Sequence, residues 1–330
     1  MSGGGLFYEM GVGLTALIVL MYAASVAVKR IHKLLVYYGY SDTFGGLVIF
    51  SMATSLPEIF SHLAASLGIL SQSLDYEVAS ATVLGANIGS DVIQQTLILG
   101  LVVFFMGRLE FKKSFLKTGY LPMITTTMMC MVLGLDGIYS RLDGLVLISS
   151  FIAYIIYLYR RENHHKRENI QGLEKSKNVP ADLFVAVTCF ALMLASAHFL
   201  LEVTQEIVVL TGLGGSLIGV ISLGVASASP EFFTAIFGLR HRAAGISLGT
   251  LIGSNITNPL VGIGGGALLS TYWVPKPLVY WDLPMETITA ALLLAYLLKT
   301  GGRLGKWGGL YLMGLYFLYL GVRFTYFAVD

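Results

Sequence analysis

Long apolar runs separated by short polar breaks recur from one end of the chain to the other. Ten of them read as helices, at roughly 9–28, 43–70, 78–106, 116–134, 143–160, 182–205, 214–239, 244–270, 283–299 and 307–327. Runs of this length match the ~30 Å hydrocarbon core of a bilayer. Backbone N–H and C=O groups in lipid must be satisfied within their own segment, which predicts helices rather than strands. The expected fold class is an all-α polytopic membrane protein with ten transmembrane helices.

Composition agrees with that pattern. Hydrophobic residues make up 55% of the chain and charged residues 12%, against about 25% charged in ordinary soluble domains. The most polar stretch, RRENHHKRENIQGLEKSKNVP (160–180), is the length of a linker, which excludes a separate soluble domain. It lacks the acidic clusters of a Ca²⁺-sensing loop, and its positive charge suits contact with anionic lipid. Cys130 and Cys189 both lie in apolar runs and read as small core residues, with no disulfide or metal pattern. The N-terminal MSGGGLFYEM lacks the basic stretch of a cleaved signal, so the first run is expected to be a retained helix. A net charge of +2 gives no pointer to nucleic acid.

The placement of the charges is more informative than their sum. With the N-terminus set outside, eighteen of the 21 Lys and Arg fall on inner loops, and only Arg141, Lys276 and Arg323 fall outside. That bias follows the positive-inside rule and places both termini outside. The compact form suggests a prokaryotic inner membrane.

The chain also repeats itself. GLVIFSMATSLPE (46–58) matches GVISLGVASASPE (219–231) without a gap, and LGANIGSDVIQQ (84–95) matches LGTLIGSNITNP (248–259). Five predicted helices in each half is an odd number, so the second copy should enter the membrane inverted. The expected organisation is a first repeat over 1–160 with its motif at 46–100, a basic cytoplasmic linker at 161–181, and a second repeat over 182–330 with its motif at 219–266. Inverted repeats place substrate sites near the midplane, on interrupted helices. Pro57 and Pro230 predict the interruptions, since each removes a backbone donor and frees carbonyls one turn earlier.

Of the 19 acidic residues, Glu58, Asp91 and Glu231 are expected deep inside spans, with no Lys or Arg at matching depth. Such a charge costs roughly 2.5–3.5 kcal/mol by insertion scales, so protons or bound cations must neutralise it. The neighbours are rich in oxygen. Thr54 and Ser55 share a face with Glu58, and Ser227 with Glu231; Ser90 and Gln94 are four apart, as are Ser254 and Asn258. Gly85, Gly89, Gly249 and Gly253 allow close helix approach. Hard oxygen ligands suit Ca²⁺, Na⁺ or Mg²⁺ rather than zinc or copper. Two carboxylates balance one Ca²⁺, a few Na⁺ or two protons. A site that neutralises one of those sets at a time has the minimum chemistry of an antiporter. An intramembrane enzyme would need a nucleophile and base, an HExxH or a GxGD motif, and none is present. A scaffold or receptor would not need two buried Pro-Glu pairs. Protons could be coupled through His62, one turn beyond Glu58, or through Asp91; both residues also read as packing groups that hydrogen-bond neighbours. His198 reads as structural, and His164 and His165 as a solvated surface.

TSLPE (54–58), SASPE (227–231) and the two LG-x-x-IGS segments resemble the alpha repeats of the cation/Ca²⁺ antiporter superfamily, with the prokaryotic Na⁺/Ca²⁺ exchangers as the nearest branch. LDGIYSRLDG (135–144) is similar to the same family. The resemblance implies Ca²⁺ efflux driven by Na⁺, alternating access as the first and sixth spans slide against the bundle, no cofactor, inorganic cations and lipid as the only partners, and a monomer sufficient for transport. It implies Glu58 and Glu231 as the principal Ca²⁺ ligands. Thr54, Ser55, Ser90, Ser227 and Ser254 would add Na⁺ or Ca²⁺ contacts, and Gln94 and Asn258 fall at positions of the family's amide and aspartate. Departures are Asn258 for the aspartate, Gln94 for a shorter amide, Ala228 for a hydroxyl, Ser229 for Leu, Ala86 and Thr250 for Asn, and Asp91 for Asn. They keep the H⁺-coupled and Mg²⁺ alternatives open on the same scaffold.

Overall fold

The computed structural model describes residues 3–36, 45–162, 176–240 and 244–330. The described residues are almost wholly helical and fall into ten rods. These are α1 (Gly3–Val36), α2 (45–70), α3 (Tyr76–Met106), α4 (Lys113–Asp136), α5 (Arg141–Glu162), α6 (Val179–Thr211), α7 (215–240), α8 (244–270), α9 (Leu278–Lys299) and α10 (Lys306–Tyr326). Six of them, α3 to α7 and α9, are long and apolar enough to cross a membrane. The bent rod α2 makes a seventh if its two halves form one span.

Several rods outrun the sequence pattern. The helix expected over 9–28 runs to Val36, and the one expected over 182–205 covers Val179–Thr211. The expected linker shrinks to match, because α5 continues to Glu162 and α6 begins at Val179; residues 163–175 of it, with His164 and His165, lie outside the described residues. Asn178 begins α6 by accepting the Ala181 N–H, so the polar residues after 176 serve as its cap.

The burial pattern is the reverse of a soluble protein's. Large apolar side chains such as Leu14, Phe105, Leu142, Phe184 and Phe317 are exposed on the outer rods. Ser, Thr, Asn and Gln of α2, α3, α7 and α8 fill the interior. Water would not tolerate such a surface, and a hydrocarbon surround requires it.

Glycine sets how closely the central rods pack. A Cβ at Gly85 would lie 2.2 Å from the Ser216 carbonyl oxygen, and one at Gly253 would lie 2.7 Å from the Leu47 carbonyl oxygen. Thus α3 packs on the start of α7, and α8 on the start of α2. Two short antiparallel pairs tie the ends of the rods. β1 (Arg108–Glu110) pairs with β4 (Arg303–Gly305), and β2 (Ile138–Tyr139) pairs with β3 (Tyr272–Trp273). One rod, α4, separates β1 from β2, and α9 separates β3 from β4, so the two pairs sit at opposite ends of the bundle.

Candidate cation site

Both Pro-Glu motifs open a new helical segment after a break. α2 leaves helical geometry at Ser55 (φ −76°, ψ 2°) and bends by 52° there; the hydrogen-bonded helix of α7 is interrupted at Ala228 (φ −71°, ψ −7°), but Gly215–Ile236 runs on without a bend of that size. Pro57 and Pro230 each follow as the second residue of a new helical half. At that position a missing N–H costs nothing, while the carbonyl four residues earlier loses its usual donor. Glu58 and Glu231 therefore stand in the first turn of their half-helices, where the backbone N–H of each faces its own carboxylate. Both side chains are buried, at 2% and 0% exposure.

Their partners come from both repeats. Ser90 Oγ donates to Glu58 Oε1 at 2.7 Å, and Ser227 faces the same carboxylate from α7. Ser254 Oγ donates to Glu231 Oε1 at 3.1 Å, and Thr54 faces it from α2. The gapless alignment maps Ser90 onto Ser254 and Thr54 onto Ser227. Each glutamate thus accepts from one hydroxyl of its own repeat and lies near one of the other repeat; the hydrogens of those nearby hydroxyls, Ser227 and Thr54, go to Gly224 O and Phe50 O, and the two sets are images of each other. Thr54 Oγ1 and Ser254 Oγ also meet at 3.3 Å.

An amide string leads away from Glu58, and one backbone carbonyl fixes its direction. Asn255 Nδ2 donates to Leu251 O at 2.7 Å, an acceptor by covalent structure, and to Gln94 Oε1 at 2.9 Å. Gln94 must then present Nε2 to Ser90 Oγ (3.0 Å), which leaves the serine hydrogen for Glu58. Asn255 Oδ1 must accept, and Gln95 Nε2 supplies the hydrogen at 2.7 Å. The second hydrogen on Gln95 Nε2 goes to Glu286 Oε1 at 2.9 Å, which Thr127 Oγ1 also contacts at 2.7 Å.

On the other flank, Asn258 Nδ2 donates to Asp91 Oδ1 at 2.8 Å. Asn87 Nδ2 donates to the Asn258 carbonyl (2.9 Å) and to His62 Nε2 (3.0 Å). His62 Nδ1 then faces the Tyr272 hydroxyl at 3.1 Å. Both ring nitrogens of His62 thus face neutral partners.

What remains is a set of oxygens without donors. Glu58 Oε2, Glu231 Oε2, Ser55 Oγ, Asn87 Oδ1 and Asn258 Oδ1 are all buried and unpartnered. The Nδ2 groups of the two amides donate to Asn258 O and His62 Nε2 and to Asp91 Oδ1, which leaves each amide oxygen without a partner. Buried acceptors left this way cost about 1–3 kcal/mol each unless something positive meets them. An oxygen-coordinated cation or a proton meets that need. No group of three His, Cys, Asp or Glu side chains able to hold a metal exists among the described residues. Two carboxylates framed by hydroxyls and amides make up the site.

One expectation needs correction. Asp282 and Glu286 are also buried acids, because α9 begins at Leu278, five residues earlier than expected, and carries both into the interior. Arg323, counted on the outer side of the membrane, is fully buried within the protein and bonds Asp282 Oδ2 at 3.1 Å and the Ser216 hydroxyl. Asn87, Gln95, Asn255, Thr127 and Glu286 did not stand out as site residues in the sequence. A signal existed for Glu286: LPM recurs at 121–123 and 283–285, and the next residue is Ile124 in one copy and Glu286 in the other.

Comparison with known proteins agrees in extent as well as in kind. Residues 9–160 and 182–325 match the family model described as sodium/calcium exchanger protein. The sodium/calcium exchanger MaX1 of Methanosarcina acetivorans is 24% identical over 94% of this chain and 97% of its own. A Methanocaldococcus jannaschii protein described as uncharacterised membrane protein MJ0091 is 26% identical over 94% of this chain and 96% of its own. The solved structure of the sodium-calcium exchanger NCX_Mj, soaked with Na⁺ and Sr²⁺, shares the fold with a TM-score of 0.65. That match covers 96% of this chain and 99% of the other at 22% identity.

Proposed function

The chain belongs to the sodium/calcium exchanger protein family, and we infer from that premise that it is a secondary active antiporter exchanging Ca²⁺ for Na⁺ across a membrane. It is a multi-pass membrane protein and a transporter rather than an enzyme. The observation that carries the reading is the matched pair Glu58 and Glu231, each buried, each with an unpartnered Oε2 and mirrored hydroxyl partners.

Glu58 and Glu231 are the Ca²⁺ ligands in this reading. Thr54, Ser55, Ser90, Ser227 and Ser254 add hydroxyls, while Gln94 and Asn258 complete the ring directly or through Ser90. With Ca²⁺ bound the two charges cancel; with Na⁺ bound the same oxygens share monovalent charge. The site empties at high cost, so it crosses the membrane occupied. Pro57 and Pro230 supply the breaks that aim half-helix carbonyls at the cation.

The ten rods are ten spans, arranged as two inverted five-helix repeats over 1–160 and 182–330. Support comes from the strand pairs: β1 and β3 occupy equivalent places in the repeats yet lie at opposite ends of the bundle. The basic loops lie on the cytoplasmic side of an inner membrane and both termini lie outside, so Na⁺ entry would drive Ca²⁺ out. Coupling to H⁺ is the second reading, favoured by Asn258 at the family's aspartate position and by the buried acid Asp91 beside it.

Proteoliposomes loaded for ⁴⁵Ca²⁺ uptake test both. Uptake driven by a Na⁺ gradient alone is the expected result. Uptake driven only by a pH gradient would move the coupling to protons, and no Ca²⁺ flux under either gradient would overturn the assignment.

A further inference from the structure

Glu286 is a buried carboxylate that the exchange of Ca²⁺ for Na⁺ does not use. It has no counterpart in the first repeat, where Ile124 stands, and its exposure is 3%. Among the described residues no ion pair reaches it. The buried cation on the same side of the bundle, Arg323, is bound to Asp282.

The groups facing Glu286 come from several rods. α3 presents Gln95 and, further off, Asp91; α4 presents Thr127 and Cys130; Tyr139 stands behind Cys130, bonded to its carbonyl. Asp282 lies one turn earlier on α9 itself. None of these is a cation. The two groups touching Glu286 Oε1 both come as hydrogen donors, and the direction of the Gln95 amide is fixed by the chain of bonds that starts at the Leu251 carbonyl. At Glu286 Oε1 a metal ion would meet N–H and O–H hydrogens rather than lone pairs. Four carboxylates (Glu58, Glu231, Asp91 and Glu286) share this interior, and one Ca²⁺ balances two of them.

We propose that Glu286 is a proton-binding site, and that its proton is linked to cation binding at Glu58 and Glu231 through the Gln95–Asn255–Gln94–Ser90 hydrogen-bond string. The proposal rests on the Ca²⁺ site read above. Cation entry draws Ser90 away from Glu58 Oε1, and the reorientation passes along three amides, two of which, Asn255 and Gln95, commit both amide hydrogens. Ionised Glu286 adds negative charge near the cation, and the protonated form withdraws it. Linkage is reciprocal: Ca²⁺ binding releases the Glu286 proton, and protonation weakens Ca²⁺ binding.

The test uses the purified full chain and Glu286→Gln, which keeps an acceptor for Gln95 and Thr127 but cannot ionise. Equilibrium ⁴⁵Ca²⁺ binding is measured against pH, and proton release on Ca²⁺ addition is followed with an indicator dye in weak buffer. The expected result is about one proton fewer released per Ca²⁺ in the variant, with the slope of log Kd against pH reduced by about one. Equal proton counts and superposed pH profiles would overturn the proposal, since a purely structural role leaves both unchanged. Infrared difference spectra of the protein titrated without Ca²⁺ decide independently. A protonated-carboxyl band present in the wild type and lost in Glu286→Gln supports the site, and an unchanged band refutes it. A wild type that binds no Na⁺-displaceable Ca²⁺ refutes the linkage together with the exchanger reading, while an infrared band lost in the variant still assigns the proton to Glu286.

Discussion

Replacing Glu58 by Gln, and separately Glu231 by Gln, should weaken Ca²⁺ binding by the same large factor. Gln is nearly isosteric, and its Oε1 still accepts from Ser90 at the Glu58 position or from Ser254 at the Glu231 position. The fold should therefore survive. What changes is charge: a site that cancels Ca²⁺ with two carboxylates is left with one, and a positive charge stays uncompensated in a fully buried place. Breaking a buried pair by removing one partner costs about 3–5 kcal/mol, which is about two to three and a half decades in Kd. The mirrored partner sets make the two losses equal to within about threefold, or about 0.7 kcal/mol. The assay is Na⁺-displaceable ⁴⁵Ca²⁺ binding to purified protein, with a thermal melt in detergent as the folding control. A Kd within about tenfold of wild type in either folded variant would refute the reasoning. A large loss in one variant with none in the other would refute the symmetry.

Other outcomes follow from the packing. Gly85→Ala should destabilise by about 1–3 kcal/mol or more, because its Cβ would lie 2.2 Å from the Ser216 backbone oxygen. Gly265→Ala, with nothing within 4 Å, should be neutral or stabilising by up to about 1 kcal/mol in the same melt. Asp282→Asn should cost about 3–5 kcal/mol by stranding Arg323, and adding Arg323→Met should recover part of it in a double-mutant cycle. His62→Ala should lower stability by about 1–3 kcal/mol through the bonds lost to Asn87 and Tyr272, while the pH profile of exchange keeps its shape. A shifted profile would identify His62 as a proton carrier.

Much of this protein is legible without coordinates. Apolar run length implies helices, since lipid leaves the backbone no other way to satisfy itself. The gapless match of 46–58 to 219–231 pairs Glu58 with Glu231, and their prolines mark the breaks, because a missing N–H is a covalent fact. The hydroxyls at Thr54, Ser90, Ser227 and Ser254 follow from helical spacing on the same segments. Tertiary structure decided the rest. Each glutamate lies beside a hydroxyl from the opposite repeat, and spacing along one chain cannot show which face of a distant helix will arrive. Asn87, Gln95 and Asn255 are ordinary amides in the sequence; their role depends on a polarity set at the Leu251 carbonyl and passed from bond to bond. Glu286 looked like a helix-end acid until the extra turns of α9 carried it inward. Local pattern thus determined the segments, the breaks and the charged pair. Long-range packing determined which neutral groups direct that charge, and which further acid shares its interior.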